Sequence, residues 1–194
     1  MSRITSTGGA FVHDPLTPQA EQELMRRLVS GDEDAIRTLY GRFARPVFGM
    51  GLRILGSRAA SEELTQDVFL AAWRKAERYD AARGRLSTWL MTIAHNLAVD
   101  RLRREAGRVP TATDGLDEVA QVGVSDEDAL IDREDVRRVM EDLTTGERRL
   151  LNLAYFQGWT AREISEADGI PLGTVKTRLR ATLIKLRKAH GKAP

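Results

Sequence analysis

The sequence predicts an all-α protein of two small helical domains joined by a flexible acidic linker. Apolar residues recur at spacings of three and four along most of the 194 residues, and several of these stretches begin at a helix-capping residue. No stretch shows the alternation of a β-strand. From residue 107 to 125 the periodicity stops, and Gly, Pro, Thr and Asp accumulate as they do in linkers. We therefore divide the chain into a disordered tail (1–17), a first domain (18–106), a linker (107–127) and a second domain (128–190).

Composition removes several classes of function. The chain has 0 cysteines, which excludes disulfides, a thiolate nucleophile and a cysteine-based zinc site. The 3 histidines do not have the spacing of a metal site, so we expect no metal and no cofactor. No window approaches the roughly 20 apolar residues of a membrane helix, and residues 1–20 lack the apolar core of a signal peptide. We expect a cytoplasmic protein without direct membrane insertion.

Two predicted helices open the first domain. Thr17 is a suitable N-cap, with Pro18 at the first helical position. A second helix is predicted over residues 31–55, and Gly56 ends it. Its helically spaced apolar residues are Ile36, Leu39, Tyr40, Phe43, Val47 and Phe48.

Two further helices complete this domain. Ser61 can cap a third helix that has Glu62 and Glu63 in its first turn. One apolar side of that helix is predicted to consist of Leu64, Val68, Phe69, Ala72 and Trp73. A loop follows over residues 79–85, and a fourth helix is predicted over residues 87–104.

The fourth helix carries two distinct stripes. The core stripe consists of Leu86, Leu90, Ile93 and Leu97. The neighbouring stripe consists of Trp89, Thr92, Asn96, Asp100 and Arg103, with positive charge added by Arg83, Arg85, Arg101 and Arg104. An aromatic ring can stack on an unpaired base while polar groups read its edge and arginines hold the backbone, so this stripe is typical of single-stranded nucleic-acid binding. The alternative is that Trp89 is a half-buried core residue. His95 and Asp100 point to different faces of the helix and do not form a general-base pair.

The second domain is predicted to be helical as well. Helical spacing returns at Asp126 and continues through Leu130, Val136 and Val139. Residues 144–147 have the pattern of a new capped start, and a helix is predicted from about residue 146 to Gly158.

The last 35 residues have the pattern of a helix-turn-helix. Thr160 and Glu163 form a capping box for a short helix over residues 161–168, and Gly169 suits a left-handed turn. Pro171 then begins a helix whose apolar face consists of Leu172, Val175, Leu179, Leu183 and Leu186. Its other faces carry Lys176, Thr177, Arg178, Arg180, Lys185, Arg187 and Lys188. The second helix of such a motif enters the major groove of DNA, where Arg and Lys read guanine. The alternative is a basic solvated helix that packs on its neighbours.

Charge is segregated along the chain, although the net charge is only +2. Residues 81–104 hold 5 basic and 1 acidic residues, residues 105–147 hold 4 and 13, and residues 148–194 hold 10 and 3. Two basic blocks separated by an acidic one favour two contacts with one polyanion. Solvated helix faces of alternating sign are the other interpretation.

Two segments resemble bacterial sigma factors of the extracytoplasmic-function (ECF) group of the sigma-70 family, which retains only conserved regions 2 and 4. The first spans residues 62–104 and contains LTQDVFLAAWR and LSTWLMTIAHNLAVDRLRR. The second spans residues 143–188 and contains GIPLGTVKTRLRATLIKLRK. The resemblance covers about residues 20–104 and 128–190. It implies a specificity subunit of RNA polymerase that directs the core enzyme to promoters, and an anti-sigma factor that holds it inactive.

The resemblance also implies site residues. A core-polymerase surface would consist of Glu62, Glu63, Gln66, Asp67 and Trp73. Residues 83–100 would capture the melted non-template strand of the minus-ten promoter element. The minus-thirty-five element would be read as duplex by Arg162 and by the helix that carries Thr174, Lys176, Thr177, Arg178 and Arg180.

Two other classes of protein compete with this interpretation. A stand-alone helix-turn-helix regulator would explain residues 148–194 but not the Trp89 stripe or the acidic helix over residues 62–73. An enzyme or a purely structural helical protein lacks support, because the sequence shows no nucleophile, phosphate loop or ligand cluster.

Overall fold

The computed structural model describes residues 16–108 and 143–190, with side chains up to residue 186. All regular secondary structure within these ranges is helical, as predicted. Among the helices of these residues, none is long and apolar enough to cross a membrane. The predicted linker beyond residue 108 and the predicted helical stretch from Asp126 to Val139 lie outside the described residues.

Four α-helices form the first domain: α1 (Pro18–Val29), α2 (Glu33–Leu55), α3 (Arg58–Arg74) and α4 (Leu86–Glu105), with a 3₁₀ turn (Ala76–Arg78) before α4. The Thr17 hydroxyl accepts a hydrogen bond from the backbone N–H of Ala20 at 3.2 Å, which confirms the predicted cap of α1. Gly56 ends α2 with φ 66°, a left-handed conformation that glycine adopts without steric cost.

Helix α3 begins one turn earlier than predicted. Its N-cap is Ser57, whose hydroxyl accepts from the Ala60 N–H at 3.3 Å, so the prediction that Ser61 caps this helix is wrong. Ser61 is fully buried inside α3 and donates to the Ser57 carbonyl at 2.6 Å. Both serines can cap a helix, but the earlier start lets Ser61 pack against α2 at Gly51, which has no side chain.

The core of the first domain lies between α1, α2, α3 and α4. Its large buried side chains are Leu24, Met25, Leu28, Leu39, Phe43, Val47, Leu64, Val68, Leu86, Leu90 and Ile93. Trp73 is 52% exposed, so its predicted place on the buried side of α3 is wrong. At about 100° per residue Trp73 lies opposite Leu64, whereas Val68 and Ala72 lie beside Leu64.

The crossing of α2 and α3 depends on Gly51. A Cβ atom there would lie 2.9 Å from Leu64 Cδ2, 3.2 Å from Ser61 Cβ and 3.3 Å from Ser61 Cα. We expect Gly51→Ala to be less stable than Gly49→Ala by about 1–3 kcal/mol, because the overpacked side chain must displace α3. Gly49 lies on the same helix with open space around it, so this control has the same gain in helix propensity. Thermal unfolding of the two variants measures the difference, and equal stability would contradict the tight crossing.

The second domain consists of α5 (Thr145–Leu151), a π-helical turn (Asn152–Phe156), α6 (Ala161–Asp168) and α7 (Leu172–His190). The helix predicted to reach Gly158 is therefore divided, since residues 152–156 widen into the π-helical turn. The capping box predicted at Thr160 with Glu163 is present, and the capped start predicted over residues 144–147 is a second capping box, formed by Thr144 and Glu147. The core of this domain consists of Leu150, Leu153, Ala154, Ile164, Val175 and Leu179.

Candidate nucleic-acid interface

One exposed face of α3 carries the residues expected to bind polymerase. Glu62, Glu63, Gln66, Asp67 and Trp73 are all exposed, at the spacings of three and four that bring side chains together on a helix. Within the described part of the chain, two acidic residues of this face form ion pairs. Glu62 contacts Arg58 at 2.9 Å on the same helix, and Glu63 contacts Arg101 of α4 at 2.7 Å.

Apolar side chains extend this face, and sequence reasoning missed them. Leu70 is 45% exposed on α3, and Ile36 and Tyr40 are 41% and 49% exposed on α2. The Tyr40 and Phe69 rings lie 4.8 Å apart and link the two helices. The signal was present in the helical spacing, but apolar spacing alone does not separate a core side from a docking side. We call Ile36, Tyr40, Leu70, Trp73 and the four polar residues of α3 above the α2–α3 surface.

The predicted stripe on α4 is partly exposed over most of its length. Trp89, Thr92, Asn96 and Asp100 lie on one face and are each half-buried. The Trp89 ring makes an edge contact with Tyr79 at 5.6 Å between centroids, so one side of the indole is packed. The two interpretations of Trp89 are therefore compatible, because a half-buried ring can still present an open face to a base.

The arginines beside this stripe differ in availability. Arg83 is exposed in the loop before α4, and Arg104 is exposed and donates to the Asp100 carbonyl at 3.2 Å. Arg101 contacts Glu63 and, at 3.2 Å, Glu105, and these hydrogen bonds raise the pKa of its guanidinium. Arg83 and Arg104 are thus the more accessible cations beside the stripe.

Arg85 is built into the domain rather than presented at its surface. Its side chain is 13% exposed, its Nε atom lies 3.2 Å from the Glu21 carboxylate, and its Nη2 donates to the Leu16 carbonyl at 2.6 Å. The expectation that Arg85 adds accessible charge for DNA does not fit this position, because its side chain lies against Glu21 of α1 and the Leu16 carbonyl.

Arg103 also has a partner inside the molecule. It is 7% exposed, and its Nη1 atom donates to the Gly158 carbonyl at 2.7 Å and to the Glu163 carboxylate at 2.8 Å. Burial alone would raise the pKa of Glu163, but hydrogen bonds from Arg103 and from Thr160 hold it at about 2. Arg103 therefore joins α4 to the start of α6, and the predicted DNA contact requires this ion pair to open.

Other contacts between α4 and the segment before α6 also join the two domains. The His95 Nε2 atom lies 3.0 Å from the Tyr155 carbonyl, which can only accept, so Nε2 carries the proton. Burial lowers the pKa of His95 and keeps its ring neutral. Phe156 packs against the core of the first domain, and the Arg108 guanidinium lies 5.3 Å from the Trp159 ring centroid. The π-helical turn and the residues after it thus dock on α4.

Helix α7 presents the predicted duplex-reading residues to solvent. Lys176, Thr177, Arg178 and Arg180 are exposed, whereas Val175 and Leu179 are buried on the opposite side. Thr174 is half-buried at the start of the helix, and Arg162 is exposed on α6. Gly169, with φ 65°, makes the left-handed turn between the two helices. The geometry is that of a helix-turn-helix, as predicted.

Comparison with known proteins gives the same two regions. The family described as Sigma-70 region 2 matches residues 39–108, and the family described as Sigma-70, region 4 matches residues 139–188. The ECF RNA polymerase sigma factor SigK of Mycobacterium ulcerans is 37% identical over 168 residues, covering 84% of this chain and 90% of that protein. SigK of Mycolicibacterium vanbaalenii is 34% identical over 190 residues, covering 95% of this chain and 96% of that protein.

Solved structures of similar proteins include Rhodobacter sphaeroides SigE in complex with the anti-sigma ChrR. That chain is 29% identical, with coverage of 89% of this chain and 99% of that one, and a TM-score of 0.45. The sigma factor RpoE in complex with the anti-sigma factor NepR from Bartonella quintana is 17% identical. The match covers 81% of this chain and 98% of that one, with a TM-score of 0.35.

The helical fold, the helix-turn-helix and the two matched regions define a sigma factor of the sigma-70 type. The chain belongs to the ECF RNA polymerase sigma factors, which direct RNA polymerase to promoters and are initiation factors, not enzymes.

Proposed function

We propose that this sigma factor uses three separate surfaces, one for core RNA polymerase and two for promoter DNA. It acts in the cytoplasm, where its polymerase works. The α2–α3 surface binds core RNA polymerase. Arg83, Arg104 and the α4 stripe of Trp89, Thr92, Asn96 and Asp100 bind the melted non-template strand of the minus-ten element. Arg162, Thr174 and the exposed residues of α7 read the minus-thirty-five element as duplex.

The observation that carries this division is the difference in chemistry between the two nucleic-acid surfaces. The α4 stripe combines a partly open indole with amide and hydroxyl groups, a combination suited to unpaired bases. The exposed side of α7 carries three cations and a threonine at the start of the second helix of a helix-turn-helix, which suits base edges in a major groove. The two surfaces belong to separate apolar cores, so each can bind its own element.

Both elements can be bound at once only if the domains separate. The element names place them about 25 base pairs apart, which is roughly 85 Å of B-form DNA. Helix α4 has 20 residues and is about 30 Å long, and a domain of about 50 residues is roughly 25 Å across. With the second domain docked on α4, the two surfaces lie closer together than the two elements. The ion pair of Arg103 and Glu163 must therefore open when the holoenzyme binds a promoter.

We expect Arg103→Ala to loosen the docked domains in the free chain. Removing Arg103 from this half-buried ion pair costs about 1.5–3 kcal/mol, because the Gly158 carbonyl loses a charged donor and Glu163 loses its cationic partner. Fluorescence energy transfer between dyes at Ser30 and Glu166 measures the separation. Arg104→Ala is the matched control, since Arg104 is the next residue but is exposed and bonds only within α4 among the described residues. If both variants give the wild-type transfer efficiency, the ion pair does not hold the domains.

We also propose that an anti-sigma factor holds this protein inactive. The α2–α3 surface exposes large apolar side chains until core polymerase covers them, so it is available to a rival partner. Because the chain has 0 cysteines, a redox signal cannot act on a thiol of the sigma factor itself. The release signal is therefore read by the partner, through proteolysis, ligand binding or its own redox chemistry.

The test of this regulation is co-purification with the product of an adjacent gene that encodes a small helical domain. We expect that product to bind and to reduce initiation in run-off transcription, and Trp73→Ala to weaken the binding if the α2–α3 surface is the one covered. A product that binds without reducing initiation would refute the proposal, as would full activity in unstressed cells with no bound partner.

A further inference from the structure

A buried carboxylate in α1 anchors the loop that leads into α4. Glu21 is 3% exposed, and its Oε2 atom accepts from the Tyr79 hydroxyl at 2.7 Å and from the Leu86 backbone N–H at 3.0 Å. Its Oε1 atom lies 3.2 Å from Arg85 Nε. The sequence did not single out Glu21, and it precedes residues 39–108, the segment matched by region 2.

The three partners of Glu21 bracket the loop. Tyr79 is the first residue of the loop over residues 79–85, Arg85 is its last residue, and Leu86 is the first residue of α4. The N–H of Leu86 has no partner within α4, and Arg85 caps the helix without a side-chain hydrogen bond, so the Glu21 carboxylate serves as the cap. One side chain thus fixes both ends of the loop and the start of the helix.

Neighbouring contacts also hold the loop against α1 and the residues before it. Gln22 Oε1 accepts from the Ala81 N–H at 3.1 Å, and Arg85 Nη2 reaches the Leu16 carbonyl. The Tyr79 ring that Glu21 holds is also the ring that contacts Trp89. Arg83 remains exposed at the tip of the loop. The base of the loop is therefore held by α1, while its tip is left open for a ligand.

We propose that Glu21 is a positioning residue for minus-ten recognition, which fixes the loop over residues 79–85 and the Trp89 indole in position for the unpaired strand. The proposal rests on the assignment of the α4 stripe to the minus-ten element given above. It adds α1 to that site, as the element that fixes the geometry of the loop and the aromatic platform without touching DNA. A loop that is not held in place would still carry Arg83 and its charge. It would therefore bind the minus-ten strand and strands of other sequence equally well.

The test uses the holoenzyme assembled from core polymerase and the full chain, with Glu21→Gln. The amide keeps the size of the side chain but places an NH₂ donor against the donors of Tyr79, Leu86 or Arg85. We expect binding to the single-stranded minus-ten sequence of a promoter found by run-off transcription to fall about tenfold, with affinity for core polymerase changed by less than about twofold. We also expect a smaller preference for that strand over one of the same composition in scrambled order.

Two further variants keep the test decisive. Glu23→Gln is the control, because Glu23 is exposed on the same helix and pairs with Arg26. Tyr79→Phe removes one donor to Glu21 but keeps the ring against Trp89, so it decides the outcome if Glu21→Gln does not fold. We expect a smaller loss in the same direction for Tyr79→Phe and wild-type behaviour for Glu23→Gln.

Trp89→Leu in the same assay separates this proposal from the proposed function. If Trp89→Leu loses strand binding while Glu21→Gln and Tyr79→Phe bind like the wild type, the positioning role is overturned and the minus-ten assignment stands. If Trp89→Leu keeps full strand binding, the minus-ten assignment itself fails. Equal losses on the promoter strand and the scrambled strand with Glu21→Gln would show a purely structural role and would also overturn the proposal.

Discussion

We expect Trp89→Ala and Asn96→Ala to impair promoter opening more than the initial binding of closed promoter DNA. Both residues lie on the half-buried stripe of α4, and a stacking or edge-reading contact with an unpaired base exists only after the strands separate. One lost base stack costs about 1–3 kcal/mol, so we expect open complexes to decrease by roughly 5- to 150-fold for Trp89→Ala. Permanganate footprinting of the melted region measures this effect directly.

Stability must be separated from recognition in these variants, since Trp89 packs against the core of the first domain. Trp89→Leu retains apolar volume but removes the aromatic ring, and thermal unfolding of each variant checks the fold. Trp73→Ala is a useful contrast, because Trp73 is exposed on the α2–α3 surface, and we expect its loss to lower affinity for core polymerase instead. Normal opening by a folded Trp89→Leu holoenzyme would count against the assignment.

Alanine substitutions at Lys176, Thr177, Arg178 and Arg180 separate base reading from phosphate binding on α7. A bidentate guanine contact contributes roughly 1–3 kcal/mol of discrimination, so losing one relaxes specificity at one or two base pairs of the minus-thirty-five element. Losing a phosphate contact weakens binding to all sequences alike and lowers the salt slope by about one. Competition binding by the holoenzyme, repeated over a series of salt concentrations, assigns each residue to one group.

Arg148→Ala is the control for this series, because Arg148 is exposed in the same domain but lies on α5. It removes one positive charge from the domain without changing a residue of α7. If all four variants of α7 keep wild-type affinity and sequence preference, α7 is not the recognition helix.

Features set by neighbouring residues could be predicted from the sequence. The caps at Thr17, Thr144 and Thr160 and the left-handed glycines at Gly56 and Gly169 all appear in the structure. Each depends on side-chain and backbone groups within a few residues, so the local sequence carries the information. The helix-turn-helix follows from the same signals together with the apolar face of its second helix.

Features set by distant residues could not be predicted. Arg103 and its partner Glu163 are 60 residues apart, and Tyr79 and Glu21 are 58 residues apart. An arginine beside a helical stripe has the same sequence signature whether it faces solvent or a buried carboxylate, so Arg85 and Arg103 could not be told from Arg83. Likewise, the apolar residues of the α2–α3 surface have helical spacing like core residues, and only the packing shows that they are exposed.

The central claim is that both domains act together on a promoter only through RNA polymerase. The most direct measurement is run-off transcription on genomic fragments with core polymerase, with and without this chain, alongside duplex binding by the chain alone. We predict initiation at a specific set of promoters that depends on the chain, and weak binding of the free chain to the same duplexes, since its docked domains cannot span both elements. Two results together would contradict the account: tight specific binding of the free chain to these duplexes, and transcription by core polymerase that does not change when the chain is added. They would identify a stand-alone helix-turn-helix regulator.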